Sequence, residues 1–209
     1  MIGVIDFGAG NTRSVLRALD AVGAPATLLR RPDEVPAAER LVLPGVGAAG
    51  SAVRALRDSG MWEATRRAAS DGRPLLGICL GAQLMLDASD EDDADGLGLI
   101  AGRCRAFPAT ADGGPRIVPH VGWNAVELAG ARRADAYFVH GYWLDPSDAE
   151  AVAGTTEVDG FRFPSLLRSR HLTAVQFHPE KSSGFGRALL GAFAAGMLDG
   201  TRSEVAAWT

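Results

Sequence analysis

Short apolar runs alternate with amphipathic stretches through the first 86 residues of the chain. The spacing of apolar residues is helical after Asn11, which is placed to cap the helix that follows it. Strands alternating with helices predict βα units and a largely parallel sheet. The predicted strands are residues 2–6, 26–29, 40–43 and 74–78. The predicted helices follow Asn11 and cover residues 50–57, 62–69 and 80–86.

The second half of the chain has a different pattern, in which short strand-like segments follow one another with few helices between them. These segments are residues 103–107, 125–128, 137–140, 150–156, 165–168 and 172–177, and a helix over 184–198 follows them. They predict antiparallel additions to the sheet, and Gly113-Gly-Pro115 reads as a loop. Because 209 residues suit one domain and no linker is visible, we expect a single α/β domain over 1–209, with a mostly parallel sheet flanked by helices.

Composition excludes several classes of function. Hydrophobic residues make up 47% and charged residues 22%, which is typical of a folded globular chain. A net charge of −4 argues against binding nucleic acid without regard to sequence. No apolar run approaches the ~18 residues that span a bilayer, and the N-terminus reads as a strand rather than a signal peptide. With only 2 cysteines, the chain fits a reducing compartment, so we expect it in the cytoplasm.

The strongest local signal is the segment Leu76-Gly-Ile-Cys79-Leu-Gly81, in which a buried strand delivers a cysteine to the start of a helix. Glycines two residues to either side of Cys79 are typical of a nucleophile elbow. We expect these glycines to permit the sharp turn, and the helix N-terminus to favour the reactive thiolate. Cys104 has no such surroundings and is interpreted as inert strand packing.

A thiol nucleophile needs a base that is held by a third group. Among 4 histidines, His178 ends an apolar strand and precedes Pro179-Glu180. In an extended chain residues i and i+2 point to the same side, so Glu180 can approach His178 and set its tautomer. Cys79, His178 and Glu180 are therefore the candidate catalytic residues.

Three weaker features are consistent with acyl transfer. Gln83 follows Cys79 by one helical turn and can offer its amide to a polar substrate. The loop Pro44-Gly-Val-Gly47 follows a strand and can present N–H groups to an oxyanion. The acidic run 89–95 is either a solvated surface or a site for an ammonium group.

Taken together, these motifs resemble the class I glutamine amidotransferases. Within that family the chain is most similar to the glutaminase subunits of imidazole glycerol phosphate synthases, which act in histidine biosynthesis. The blocks that carry the resemblance are Ile5-Asp-Phe-Gly-Ala-Gly-Asn11, Pro44-Gly-Val-Gly47, Gly77-Ile-Cys-Leu-Gly-Ala-Gln83, Val118-Pro-His-Val-Gly-Trp-Asn124, Tyr137-Phe-Val-His140 and Gln176-Phe-His-Pro-Glu-Lys-Ser182. They span nearly the whole chain, and the block ending at Asn124 is the most diagnostic.

The resemblance implies that Cys79 attacks the carboxamide of glutamine, that His178 is the general base and then the acid, and that Glu180 orients it. It implies an oxyanion hole formed by the N–H of Leu80 and one N–H from the loop of Gly45, Val46 and Gly47. Neither a cofactor nor a metal is implied.

Further residues acquire roles only through the resemblance. Gln83 and Glu91 match positions that hold the polar groups of glutamine, and His140 and Gly141 belong to the block beside the substrate. The family commonly has Ser where this chain has Gly141, so one hydroxyl is missing.

The resemblance also implies a heterodimer. Its second subunit is a (βα)8-barrel cyclase, which receives ammonia through a tunnel and makes imidazole glycerol phosphate and an aminoimidazole carboxamide ribotide. Pro119, His120, Trp123 and Asn124 lie in the block that the family places beside this partner.

Three alternatives remain open on the sequence. The chain could be the glutaminase subunit of another amidotransferase, but the glutaminases of anthranilate and aminodeoxychorismate synthesis usually carry His where Ala82 stands. It could be a stand-alone cysteine hydrolase of peptides or γ-glutamyl compounds, which leaves the block around Trp123 unexplained. A non-catalytic scaffold would leave Cys79 unreactive.

Overall fold

A computed structural model describes residues 1–8, 10–111 and 114–198. Ala9 and Gly113, which belong to two predicted turns, and residues 199–209 of the predicted domain lie outside this part. The helices are α1 (Thr12–Asp20), α2 (Ala49–Asp58), α3 (Met61–Ser70), α4 (Leu80–Leu84) and α5 (Ser183–Ala194). Short 3-10 turns cover Pro32–Ala37, Glu91–Asp93, Ala149–Ala151 and Pro179–Lys181.

The strands in the described residues are β1 (Ile2–Ile5), β2 (Ala26–Leu29), β3 (Arg40–Gly45), β4 (Leu75–Cys79), β5 (Ala88–Ser89), β6 (Gly102–Ala106), β7 (Thr110–Ala111), β8 (Gly114–Pro115), β9 (His120–Leu128), β10 (Arg132–His140), β11 (Tyr142–Pro146), β12 (Val152–Val158), β13 (Phe161–Ser169) and β14 (Leu172–Val175).

The main sheet joins a parallel half to an antiparallel half, as the sequence pattern predicts. Its strand order is β10-β9-β12-β13-β14-β4-β3-β1-β2. The strands from β14 to β2 run parallel to one another, and those from β10 to β14 pair antiparallel. The strand β14 therefore joins the two halves, and β4 lies beside it with the candidate nucleophile at its carboxyl end.

Helices cover both faces of the parallel half, because its strands are apolar on both sides. Successive residues of β3 point in opposite directions, so Leu41 and Leu43 join a core formed with α2 and α3. Val42 joins a second core, which α1 and α5 complete. Both cores consist of buried side chains, and the end of β4 lies between two helical layers.

The second half departs from the sequence prediction in its boundaries. β9 begins at His120 rather than residue 125, and the strand expected over 150–156 begins only at Val152, after a 3-10 turn. The sequence pattern also missed β11, which pairs with β6 in a separate three-stranded sheet of order β11-β6-β5. Pro115 belongs to a two-residue strand instead of a loop. Within the described ranges, no helix is long and apolar enough to cross a membrane.

Candidate active site

Cys79 occupies a sharp turn between β4 and α4. Its backbone has φ 52° and ψ −111°, a conformation that side-chain-bearing residues rarely adopt. Holding one residue there costs of order 1–3 kcal/mol and is most often seen at functional sites. The Cys79 side chain is nearly buried, and α4 begins at the next residue, Leu80. The structure therefore contains the elbow that the sequence predicts.

The glycines around Cys79 act differently from the sequence interpretation. Neither Gly77 nor Gly81 has a positive φ, so the cysteine itself carries the unusual backbone angle. A Cβ on Gly81 would lie 1.8 Å from the carbonyl oxygen of Leu43, and one on Gly77 would lie 2.8 Å from the Cα of Ala82. The glycines are required because α4 packs directly against the backbones of β3 and β4.

His178 and Glu180 form a buried pair beside this turn. The Nδ1 atom of His178 lies 2.8 Å from Oε1 of Glu180, and their side chains are 2% and 1% exposed. The contact forms because Pro179–Lys181 is a 3-10 turn, and not because the chain continues in extended form. The Nε2 atom of His178 is buried and has no well-aligned partner among the described residues, which leaves it available for proton transfer.

Two residues that the sequence did not connect with this pair hold it in place. The side chain of Asn11 does not cap α1 as expected; its Nδ2 donates to Oε1 of Glu180 at 3.1 Å. The hydroxyl of Ser182 donates to the carbonyl of His178 and accepts from the N–H of Tyr137. Such contacts between distant segments leave no local sequence pattern.

The electrostatics favour a cationic His178. Burial lowers the pKa of His178, but the neighbouring Cys79 sulfur and the Glu180 carboxylate outweigh burial and raise it to about 9. An imidazolium beside the sulfur is the partner that a thiolate nucleophile requires.

A pocket of about 250 Å³ opens in front of Cys79 and His178. Such a volume is suitable for an amino acid. Its wall includes most of the residues proposed from the sequence for catalysis and substrate binding: Val46, Gly47, Cys79, Leu80, Gln83, Glu91, Val139, His140, Gly141, Tyr142 and His178.

The candidate oxyanion loop divides into two parts. Gly45 belongs to β3 and does not line the pocket; a Cβ there would lie 2.9 Å from the Gly81 nitrogen and 3.0 Å from Cβ of Leu80. Val46 and Gly47 do line it, and Gly47 has φ +99° with open space around it. Gly45 therefore packs against the start of α4, whereas Val46 and Gly47 are the residues of this loop that line the pocket.

Glu91 both lines the pocket and caps a helix. Its Oε2 accepts the N–H of Ala49 at 2.9 Å, and Asp92 accepts that of Gly50 at 3.1 Å. These carboxylates supply the cap that Ala48 cannot give to α2. Burial raises the pKa of Glu91. The acidic run lies at the surface, but it is tied to the helix that follows the oxyanion loop.

Gln83 is held by neighbours that fix the orientation of its amide. Its Nε2 donates to the carbonyl of Tyr142 at 3.3 Å and to Oε1 of Gln176 at 3.2 Å. The Nε2 of Gln176 in turn lies 3.9 Å from the Cys79 sulfur. Both amide hydrogens of Gln83 are used, so it can offer only its oxygen to a ligand.

The residues proposed for the partner interface do not all face the same side of β9. Pro119 is exposed and Trp123 is 55% exposed. His120 is only 8% exposed and Asn124 is half-buried, because their side chains point to the opposite side of β9. His120 and Asn124 thus offer a partner less surface than Trp123 does, and their place at an interface stays a prediction.

The second cysteine does not line the pocket. Cys104 lies in β6 with no exposed surface, and burial raises the pKa of its thiol far above the usual range. Of the two cysteines, both within the described ranges, Cys79 is the one that lines the pocket beside a histidine.

Comparison with known proteins now identifies the family. A sequence model described as glutamine amidotransferase class-I matches residues 3–194. The chain belongs to the class-I glutamine amidotransferase family. The chain is 42% identical over 199 residues to an imidazole glycerol phosphate synthase subunit HisH from Geobacillus thermodenitrificans, covering 91% of this chain and 93% of that one. Its identity to the protein of the same name from Nitratidesulfovibrio vulgaris strain DP4 is 44% over 204 residues, covering 92% and 95%.

Solved structures with low sequence identity share the fold. A glutamine amidotransferase crystal structure superposes with a TM-score of 0.74 at 20% identity, covering 93% of this chain and 98% of the other. A structure of PurLQS from Thermotoga maritima gives a TM-score of 0.67 at 16% identity, covering 92% of each chain. These similarities confirm the α/β fold class expected from the sequence.

Proposed function

We propose that this chain is the glutaminase subunit of an imidazole glycerol phosphate synthase, with Cys79, His178 and Glu180 as its catalytic residues. The observation that carries the proposal is the strained Cys79 in an amino-acid-sized pocket, beside a histidine that is held by a buried carboxylate. Relatives that are more than 40% identical along nearly the whole chain bear the name of that synthase subunit.

In the first half of the proposed reaction, the sulfur of Cys79 attacks the side-chain carbonyl carbon of glutamine. The carbonyl oxygen gains negative charge, and N–H groups of Leu80 and of Val46 or Gly47 stabilise it. Each such donor is typically worth about 3–4 kcal/mol of barrier. His178 donates a proton from Nε2 to the departing nitrogen, so that ammonia leaves and a glutamyl thioester remains.

In the second half, water attacks the thioester. His178, now neutral, takes a proton from that water, and the sulfur departs as thiolate with release of glutamate. Glu180 keeps the proton on Nδ1 throughout, which leaves Nε2 to exchange protons with the sulfur, the leaving nitrogen and water.

An apolar surface at the mouth of the pocket supports transfer of the ammonia to a partner. We call it the outer face, and it consists of Val46, Ile117, Val118, Val121, Trp123 and Val139, each at least 37% exposed. Val121 and Val139 are directly paired across β9 and β10. Val46 and Val139 also line the pocket, so a subunit docked here would cover its opening. We propose that the (βα)8-barrel cyclase docks here.

The proposal is tested by glutaminase kinetics of the chain alone, with the cyclase, and with the cyclase plus its phosphoribosyl ligand. We expect weak activity alone and stimulation by both additions, because Gly47 allows the oxyanion loop to change conformation at low steric cost. Full activity in the isolated chain, unchanged by either addition, would instead favour a stand-alone hydrolase.

A variant of His178 separates ammonia production from its use. His178→Ala should lose glutamine-dependent synthesis by about 10²- to 10⁴-fold. The assembled synthase should still work with added ammonium salt, because the cyclase chemistry lies on the other subunit. Loss of both activities would mean that His178 supports assembly rather than chemistry.

A further inference from the structure

A chain of hydrogen bonds runs from the strand of the outer face to the wall of the pocket. The Nδ2 atom of Asn124 lies 3.3 Å from Nε2 of His120. The Nδ1 atom of His120 lies 3.1 Å from Nε2 of His140, and Nδ1 of His140 lies 2.6 Å from the carbonyl oxygen of Tyr142. That same carbonyl accepts from Gln83.

The positions of the protons in this chain follow from its two ends. A carbonyl oxygen can only accept, so Nδ1 of His140 carries a hydrogen. If His140 is neutral, its Nε2 is an acceptor, and Nδ1 of His120 must donate to it. The Nε2 of His120 is then also an acceptor, which suits the amide nitrogen of Asn124.

The other contacts of Asn124 independently fix the direction of its amide. Its Oδ1 accepts the N–H of Ala125 at 2.7 Å, and its Nδ2 donates to the carbonyl of Glu157 at 2.8 Å. The amide nitrogen therefore has to face His120. Every hydrogen bond from Asn124 to Tyr142 then points in one direction, and both imidazoles are the Nδ1–H tautomer.

The surroundings of the two rings agree with neutral imidazoles. Both rings pack against Phe138 and Phe163. Burial lowers the pKa of His120, although Asp159 acts in the opposite direction. Burial likewise lowers the pKa of His140 to about 3.

We propose that His120 and His140 are positioning residues for glutamine, which hold the Gly141–Tyr142 backbone, and through it the amide of Gln83, in the arrangement that the pocket requires. This role rests on the proposed glutaminase function. It replaces direct substrate binding by the His140 ring, since both ring nitrogens are already engaged. It also gives His120 a role that does not require contact with a partner.

The tautomers provide a test that needs no activity and no variant. Long-range ¹H–¹⁵N spectra of the full chain at pH 8 distinguish the two imidazole tautomers. We expect the Nδ1–H form for both His120 and His140, although the Nε2–H form is the commoner one in water. His171 is an internal control, because its Nε2 faces the carbonyl of Ala69 at 2.8 Å and must carry the proton. A cationic ring or an Nε2–H form at either His120 or His140 would overturn the proposal.

The positioning role is tested by steady-state kinetics of His140 variants in the assembled synthase. His140→Phe removes the donor to Tyr142 and should raise the KM for glutamine about two- to tenfold, the range expected for one neutral hydrogen bond, with a smaller change in kcat. His140→Asn should restore the KM, because the Asn amide reaches the position of Nδ1. His171→Phe removes a comparable donor to a carbonyl away from the pocket and should leave the KM unchanged.

The outcomes separate the two proposals. An unchanged KM in His140→Phe, or no restoration by His140→Asn, would overturn the positioning role while leaving the glutaminase intact. A wild-type synthase without glutaminase activity would overturn the proposed function and the positioning role with it. The tautomer measurement would still show whether the chain of hydrogen bonds from Asn124 to Tyr142 exists.

Discussion

The substitution Glu180→Gln tests how the buried pair works, because the structure predicts which way the new amide points. Asn11 and His178 both donate to the same oxygen of Glu180. The other oxygen has no partner among the described residues. The amide oxygen of the introduced glutamine should therefore take the place of Oε1, since two donors converge there, and its amide nitrogen should take the empty side. The tautomer of His178 is kept, and the charge of the carboxylate is what disappears.

A hydrogen bond to a charged group is typically worth about 1.5–3 kcal/mol. We therefore expect Glu180→Gln to lower kcat/KM for glutamine by about 10- to 150-fold, measured with the cyclase present. Asn11→Ala removes a bond to the same carboxylate but leaves the imidazole its own bond to Glu180, so we expect a smaller loss, about two- to tenfold. In the double variant the introduced amide can rotate and donate to Nδ1, which puts the imidazole in the wrong tautomer.

The kcat/KM of the double variant should therefore be well below the value obtained by multiplying the two single effects. Thermal unfolding of all three variants checks that each remains folded. If the two effects multiply to within a factor of about two, Asn11 does not select the orientation of the side chain at position 180 and the reasoning fails.

Three further substitutions or conditions test other parts of the site. Cys79→Ser should abolish glutamine hydrolysis without loss of folding, whereas Cys104→Ser should retain most activity. The reverse pattern would mean that Cys104 is the nucleophile. Gly47→Ala should lower kcat by straining a backbone at φ +99°, at a cost of about 1–3 kcal/mol, with Gly191→Ala in α5 as a control that leaves kcat unchanged. The free energy of unfolding should fall as the pH drops from 6.5 toward 3. In this range His140 binds a proton in the unfolded chain, whereas the buried ring of the folded chain stays neutral down to its pKa of about 3. Chemical denaturation of His140→Phe should show a free energy of unfolding that depends less on pH over that range. An unchanged slope would refute the assignment of this pH dependence to His140.

The sequence was sufficient for those features that local spacing determines. Alternation of apolar runs with helices predicted the parallel half of the sheet, and the surroundings of Cys79 predicted the turn that presents it. Contacts between distant segments could not be read in this way. The side chain of Asn11 is adjacent to Glu180 only because β1 and β14 belong to the same sheet, and nothing near Asn11 in the sequence indicates it.

Strand boundaries explain the other differences. The segment before residue 125 alternates between exposed apolar and buried polar side chains, which is the reverse of the usual surface strand. The resemblance placed His120 and Trp123 in one block beside the partner, although period-two alternation puts the two on different faces. A resemblance to relatives identifies such a block without showing which of its members face inward.

The glycines near the nucleophile have a consequence for how this enzyme tolerates change. Gly77 and Gly81 bring α4 against the main chain of neighbouring segments, and Gly45 does the same from β3. The location of the sulfur is thus set by contacts that involve backbone atoms at three points, and only weakly by the identity of nearby hydrophobic side chains. Exchanges among leucine, valine and isoleucine that keep the volume of the adjoining cores should leave the reactive atom in register, whereas a single added methyl group at Gly81 would displace it.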